Sequence, residues 1–494
     1  MISYAAYECQ EDRVSKETPD NMPQAMRIGG RLRESKQVER ITNPFDGSLV
    51  GEVFVGGDGD MDDAMAAATE AFEVTRRMPT HQRASILHAT AALLEQRSDE
   101  LATLMTRESG KPIRYSRGEV ARAVVTFRLG AAECSRPTGE VLPIDLEPRS
   151  EGRLCLHTRV PRGPVAAISP FNFPLNLIAH KLSPALAIGA SVVLKPPPQC
   201  PLTGFALAEI LEEAGLPAGA LNVLHCSPQT AQRMVEDDRL KVLSFTGSDV
   251  VGWKLKSLAG RKQVLLELGG NAPCIVDEGT DLEQCLPPIV VGAWAHAGQV
   301  CIKVQRVFVH RSLHDEFLER FVSRTRELAC GDPMDEETVV GPMIEPVHVE
   351  RVLSWIAEAR AAGAQLHCGG EAEGQVLQPT ILTGVDPDQR VCKDEVFGPV
   401  TVVEPFDDFD GALAACNAGR FGLQAGVFTR DVTRALQAFH ELDYGGVLIN
   451  DVPTFRVDNF PYGGSKDSGF GREGIRFAMD EMSEPKVLVM RGLS

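Results

Sequence analysis

The sequence predicts an α/β protein with two parallel α/β domains and a small extra sheet. Three observations carry that prediction. Between residues 165 and 267, short apolar runs alternate with helical patterns in the order β-α-β-α-β. After 267 a second such alternation begins. Two strand-like segments, "GRLCLHTRVPRG" and "EPKVLVMRG", belong to neither series. The chain of 494 residues exceeds what one compact core serves, so two or three domains are expected.

Residues 1–40 are polar and charged and are expected to be disordered or to lie along the surface. "MDDAMAAATEAFEVTRRM" and "THQRASILHATAALLEQRSDELATLMTRES" have helical spacing, with Thr80 as the N-cap of the second. "VAAIS", "ASVVLK", "LNVLH" and "VLSFTG" read as strands, and their continuous apolar character suits a parallel sheet buried on both faces. "NLIAHKLSPALAIG", "PLTGFALAEILEEAG" and "SPQTAQRMVEDD" read as the crossover helices. The second series has a helix near 281–298, strands "QRVFVHR", "VTVVEPF" and "AGVFTR", and helices between them. The two lone strands need a partner edge, which is expected on another subunit.

The formal net charge of −18 repels nucleic acid and anionic membranes, so neither is expected as a partner. No apolar run reaches the length of a membrane span, and the N-terminus lacks the apolar stretch of a signal peptide. The 12 cysteines are scattered, with no C-x-x-C. That pattern predicts reduced thiols in the cytoplasm and no metal site.

Four segments hold chemistry-bearing residues. In "GQVCIKVQR", Cys301 stands between a glycine–glutamine pair and a stretch with basic residues, unlike the wholly apolar surroundings of a structural thiol. A nucleophilic cysteine needs access and surroundings that favour thiolate. In "SFTGSDVVGWKLK" a strand turns through Thr246 and Gly247 into a helix starting near Ser248, a geometry that suits phosphate. In "VLLELGGNAP", Glu267 ends an apolar strand, where a raised pKa suits a general base. In "ISPFNFPLN", Asn172 stands in a rigid, aromatic-flanked segment able to present its amide to an oxyanion.

The order of "ISPFNFP", "LKPPPQCPLT", "FTGS", "LELGGNAP", "GQVCIKVQR", "EVFGPV" and "PYGGSKDSGFGREG" resembles the aldehyde dehydrogenase superfamily, from about 40 to the C-terminus. Within it, the chain resembles the lactaldehyde, phosphonoacetaldehyde and non-phosphorylating glyceraldehyde-3-phosphate dehydrogenase branch. The resemblance implies an atypical Rossmann cofactor domain over 41–266, with oligomerisation strands about 140–160. It implies a catalytic domain over 267–450 and a return to the cofactor domain over 451–494, ending in an oligomerisation strand. A homodimer or a homotetramer is expected.

It also implies roles. Cys301 attacks an aldehyde, Asn172 holds the oxyanion, and Glu267 activates water to release a carboxylic acid. Lys181 and Glu473 match a proton relay. Ser169, Pro170, Phe171, Lys195, Thr246, Gly247, Ser248, Leu268, Gly269, Glu395 and Phe397 match positions around NADP or NAD. Relatives that prefer NAD often carry a glutamate three residues after the lysine; here that residue is Pro198, which leaves a 2′-phosphate unopposed. The turn near Cys226–Pro228 lacks the usual G-x-G. Relatives that acylate coenzyme A tend to lack the base, so Glu267 favours hydrolysis. Arg122, Arg456 and Lys303 match places where cations would read a phosphate, phosphonate or carboxylate on a small aldehyde. A neutral, lactaldehyde-like substrate is the alternative. Val300 and Phe173 depart from the glyceraldehyde-3-phosphate and phosphonoacetaldehyde patterns respectively.

Overall fold

The strands Val165–Ile168, Val192–Lys195, Leu221–Val223, Val242–Thr246 and Gln263–Glu267 pair in parallel. Almost all their residues are buried, as a sheet covered on both faces requires. The computed structural model describes residues 22–136 and 138–492. Helices Asn176–Ile188, Leu202–Glu213, Pro228–Glu236 and Asp249–Leu258 make the crossovers. Burying side chains such as Phe127, Phe205 and Leu87 here contributes about 1.5–3 kcal/mol each.

The order of this eight-stranded sheet fixes where a ligand can sit. From Val165–Ile168 the chain steps outward through Val192–Lys195 and Leu221–Val223. It then returns to the other side through Val242–Thr246 and Gln263–Glu267. The reversal opens a crevice beyond the carboxyl ends of Val165–Ile168 and Val242–Thr246, the place where open α/β sheets bind ligands. One edge is closed by Gly469–Phe470, antiparallel to Gln263–Glu267, which brings the C-terminal segment beside Glu267.

The other edge corrects the reading of the N-terminus. Met26–Ile28 pairs antiparallel with Arg31–Arg33 and joins Leu221–Val223, and Met26 is fully buried. Val38–Thr42 forms a hairpin with Leu49–Phe54. Segment 22–40 is therefore structured, its few apolar residues placed at a sheet edge, while 1–21 lie outside the described residues. A second correction is local: Thr80 is the first residue of its helix and Pro79 holds the cap position.

The second sheet has seven strands in the order Gln365–Cys368, Thr380–Thr383, Val400–Phe406, Val304–His310, Ala272–Val276, Gln424–Phe428, Gly446–Ile449. Its core gathers Trp294, Phe317, Phe321 and Val307. The third sheet is the small extra sheet that was expected, built from the two lone strands. Arg153–Pro161 pairs antiparallel with Ser483–Arg491 along their whole lengths, so each finds its partner within the chain. Glu140–Leu142 adds a third strand. Val487, Leu488 and Val489 stay exposed. Among the described residues no helix is long and apolar enough to cross a membrane, and eleven cysteines are free thiols.

Candidate active site

A cavity of about 810 Å³ occupies the crevice. Ser169, Pro170, Phe171, Lys195, Thr246, Gly247, Ser248, Leu268, Gly269, Glu395 and Phe397 all line it, as do Cys301, Glu267 and Asn172. Ser248 is extended and caps the helix Asp249–Leu258 without a side-chain hydrogen bond, which leaves first-turn N–H groups for a ligand. Lys195 Nζ donates to the Pro196 carbonyl at 3.1 Å, and burial pushes its amine down. Pro197 and Pro198 line the same wall.

Glu395 accepts the Gly270 N–H at 2.9 Å, and burial pushes its carboxyl up to about 7. The two glycines after Glu267 are explained here. A Cβ at Gly269 would strike the Glu395 carboxylate, and one at Gly270 would strike the Cys301 carbonyl. Phe397 has φ +44°, unusual for a bulky residue, and meets Phe171 edge-on at 5.8 Å.

The chain reaches Cys301 through a left-handed turn. His296, Ala297 and Gly298 have φ of 53°, 52° and 66°. Gly298 packs so closely on the Gly398 carbonyl that no side chain fits. Gln299 braces the turn: its Oε1 accepts the Ile344 N–H at 3.0 Å, and its carbonyl accepts the Asn172 amide at 2.9 Å. Cys301 Sγ lies 3.3 Å from the Tyr462 hydroxyl. Burial pushes the thiol up to about 11, opposed by the Tyr462 hydrogen bond and Arg456. The expected thiolate-favouring setting is thus absent in the resting site, because desolvation outweighs the one nearby cation.

Glu267 is buried, with Oε2 unpartnered. Burial, followed by the nearby Glu473 charge, holds its carboxyl well above the usual range. Lys181 Nζ bonds Thr246 Oγ1 at 2.6 Å, Ser244 Oγ at 3.1 Å and Glu473 at 3.4 Å. Burial alone would raise the Glu473 carboxyl, but Lys181, His180 and Arg456 hold it below its ordinary value. Neither Lys181 nor Glu473 lines the cavity; they form a charged layer behind it.

None of the three cations predicted for the substrate lines the cavity itself, and their surroundings divide them. Arg122 is paired with Asp458 at 2.6 Å and remains partly exposed. Arg456 is buried against Glu473 at 3.2 Å and lies over the Tyr462 ring at 3.6 Å, yet its Nε has no partner. Lys303 is corrected. It is buried, its Nζ is bonded to the Val400 carbonyl within the second sheet, and it does not line the cavity. The strand register that follows Cys301 turns it away.

Five buried side chains stand outside the predicted site residues. His180 and Asp458 are hydrogen-bonded at 2.8 Å, between Arg122 and Arg456. Lys111 bonds Glu119 at 2.5 Å and the Asn172 carbonyl at 3.0 Å, while Glu119 accepts the N–H groups of Leu175 and Asn176. The pair anchors the segment that carries Asn172. Tyr462 touches the thiol. Only Tyr462 had a signal, its place in "PYGGS" beside the glycines that pack on Glu267. A thiol, an amide donor and a protonatable carboxyl facing one cavity suit attack on a carbonyl carbon followed by hydrolysis.

A sequence profile described as the aldehyde dehydrogenase family matches residues 32–488. The 3-sulfolactaldehyde dehydrogenase of Priestia aryabhattai is 41% identical over 464 residues, 94% of this chain and 97% of that protein. The crystal structure of aldehyde dehydrogenase 21 from Physcomitrella patens, in complex with the reaction product succinate, is similar with a TM-score of 0.94 and 40% identity, covering 96% of this chain and 99% of that one. Glyceraldehyde-3-phosphate dehydrogenase GapN from Methanocaldococcus jannaschii, complexed with NADP, has a TM-score of 0.89 and 36% identity, covering 93% and 100% respectively.

Proposed function

This chain belongs to the aldehyde dehydrogenase family and is NAD(P)-dependent, and we propose that it oxidises a small anionic aldehyde to the free carboxylic acid with Cys301 as nucleophile. Cys301 Sγ attacks the aldehyde carbon, and its proton leaves to solvent in the cavity. The Asn172 amide and the Cys301 backbone N–H hold the oxygen that becomes negative. Asn172 already spends one N–H on the Gln299 carbonyl, which aims the amide; the other N–H is the donor.

The residues around the cavity fit a dinucleotide. Both Lys195 and Glu395 line the cavity, Glu395 with one oxygen held by Gly270; Lys195 would hold the adenosine ribose and Glu395 the nicotinamide ribose. NADP or NAD, when bound, supplies the hydride acceptor. Glu267 then takes a proton from water, which attacks the thioester on Cys301. Glu473 and Lys181 lie behind Glu267 and tune its charge. The unpartnered Glu267 Oε2 supports this role, because a buried oxygen without a donor is open to a water.

The anionic class is carried by one observation: Arg456 is buried and its Nε has no partner. Leaving such a donor unsatisfied costs about 1–3 kcal/mol, which an oxygen of a phosphate, phosphonate, sulfonate or carboxylate would offset. Arg122 contributes at the half-exposed rim, shared with Asp458. The test is kcat/KM for glyceraldehyde 3-phosphate, phosphonoacetaldehyde, 3-sulfolactaldehyde and succinate semialdehyde against neutral lactaldehyde, with each cofactor. The reading expects a strong preference for one anionic aldehyde; equal or faster turnover of the neutral one would overturn it. The exposed Val487–Val489 edge supports assembly into a homodimer or homotetramer, which light scattering would measure.

A further inference from the structure

We propose that Tyr462 is a catalytic residue whose phenol donates a hydrogen bond to the Cys301 sulfur and stabilises the thiolate that makes the attack. The inference rests on the reading of Cys301 as nucleophile. The two atoms are 3.3 Å apart, Tyr462 is 3% exposed, and among the described residues no other side chain hydrogen-bonds this sulfur.

The phenol is held in place from three sides. The Tyr462 N–H donates to the Glu473 carbonyl at 3.0 Å, and the Glu473 N–H donates back at 2.7 Å. The Arg456 guanidinium lies over the ring at 3.6 Å. The ring also packs in a small apolar group with Ile302 and Leu423. A hydroxyl on a ring fixed this way has one direction in which to act.

The direction of donation follows from the surroundings. Burial, with the Cys301 and Glu267 charges, keeps the phenol protonated far above its ordinary value, so once Cys301 loses its proton the phenol is the donor and the sulfur accepts. The cation on the ring face draws electron density from the π-system and strengthens the O–H donor. Three charged groups act on the sulfur. Arg456 favours the thiolate, whereas Glu395 and Glu267 oppose it when ionised. The phenol adds a donor that no change of cofactor or substrate removes. It keeps its own proton throughout; the thiol proton goes to solvent. A charge-assisted hydrogen bond of this kind is about twice as strong as a neutral one.

The experiment follows iodoacetamide alkylation of Cys301, read by mass spectrometry of the 301-containing peptide so that other thiols do not interfere. Wild type and Tyr462→Phe are compared between about pH 7 and 9.5. The proposal expects Tyr462→Phe to slow alkylation about tenfold or more at every pH, with parallel pH slopes, and to lower kcat while NADP binding persists. Alkylation as fast as wild type would overturn it. Should Tyr462→Phe lose NADP binding or fold poorly, 3-fluorotyrosine at 462 keeps the shape and strengthens the donor. Faster alkylation then supports the proposal and an unchanged rate defeats it. Alkylation of Cys301 that leaves wild-type turnover intact would instead remove Cys301 as nucleophile, a failure distinct from that of Tyr462.

Discussion

The wall of the cavity and the layer behind it are made differently. The cofactor wall is backbone and small residues: the Ser248 helix start, Gly269, Gly270 and the prolines at 197 and 198. Lys195 and Glu395 each bond only to nearby main chain, and among the described residues its one lining set of side-chain ion pairs is Arg420 with Asp249 and Asp394. The layer behind the nucleophile is a chain of side-chain pairs: Arg122 to Asp458 to His180, then Arg456 to Glu473 to Lys181. The wall is shaped by where the chain turns. The layer is shaped by which distant side chains meet, so it can change its selectivity without moving the scaffold.

Substitutions can break or sharpen that contrast. The largest effect is expected from Cys301→Ala, at the residue that joins the wall to the layer, which should abolish aldehyde-dependent cofactor reduction, followed at 340 nm. Glu267→Gln should slow thioester hydrolysis roughly 10²–10⁴-fold and leave the first turnover nearly intact, giving a burst of reduced cofactor. In wild type the Glu267 carboxyl is held above its ordinary value, and only the carboxylate accepts a proton. Deacylation should therefore accelerate as pH rises through a midpoint above 4.5, and Glu267→Gln should flatten that limb; a rise that survives in Glu267→Gln assigns the base elsewhere.

On the charged side, Arg456→Ala should raise KM for anionic aldehydes about 10–100-fold more than for neutral ones, while kcat falls for both because the guanidinium also supports the Tyr462 phenol and the thiolate. Steady-state kinetics on paired substrates measures the ratio. On the cofactor wall, Pro198→Glu should weaken NADP about tenfold and spare NAD, because the new carboxylate faces a 2′-phosphate. The smallest effect is expected from Lys303→Met. Its amine serves the Val400 carbonyl, so the anionic-to-neutral kcat/KM ratio should stay within about twofold.

The same contrast explains what could be read from the chain. The eleven cofactor positions follow from strand ends, turns and motif order, and all line the cavity. Cys301, Glu267 and Asn172 were weak signals singly and took their expected roles from the resemblance carried by the motif order; they line the same cavity. Lys303 misled because its distance along the chain from Cys301 says nothing of its direction once the strand begins. His180 and Lys111 were invisible, and the partners of Asp458 and Glu119 could not be read, since pairs such as Arg122 and Asp458 are 336 residues apart and no local pattern announces them. For segment 22–40 the sequence left disorder and a surface course both open, because short edge strands need few apolar residues to announce them.

The left-handed turn before Cys301 has a consequence for heat resistance. A left-handed residue with a Cβ costs about 1–2 kcal/mol, and Ala297 carries that load at φ 52°. Glycine there would shed it, partly offset by about 0.5–1 kcal/mol of added freedom in the unfolded chain. Ala297→Gly should therefore melt at the same temperature or slightly higher, yet turn over more slowly, since the Gln299 brace would then hold a looser loop. A laboratory that selects this enzyme for thermal endurance alone is expected to drift toward glycine at 297 and lose speed as it does.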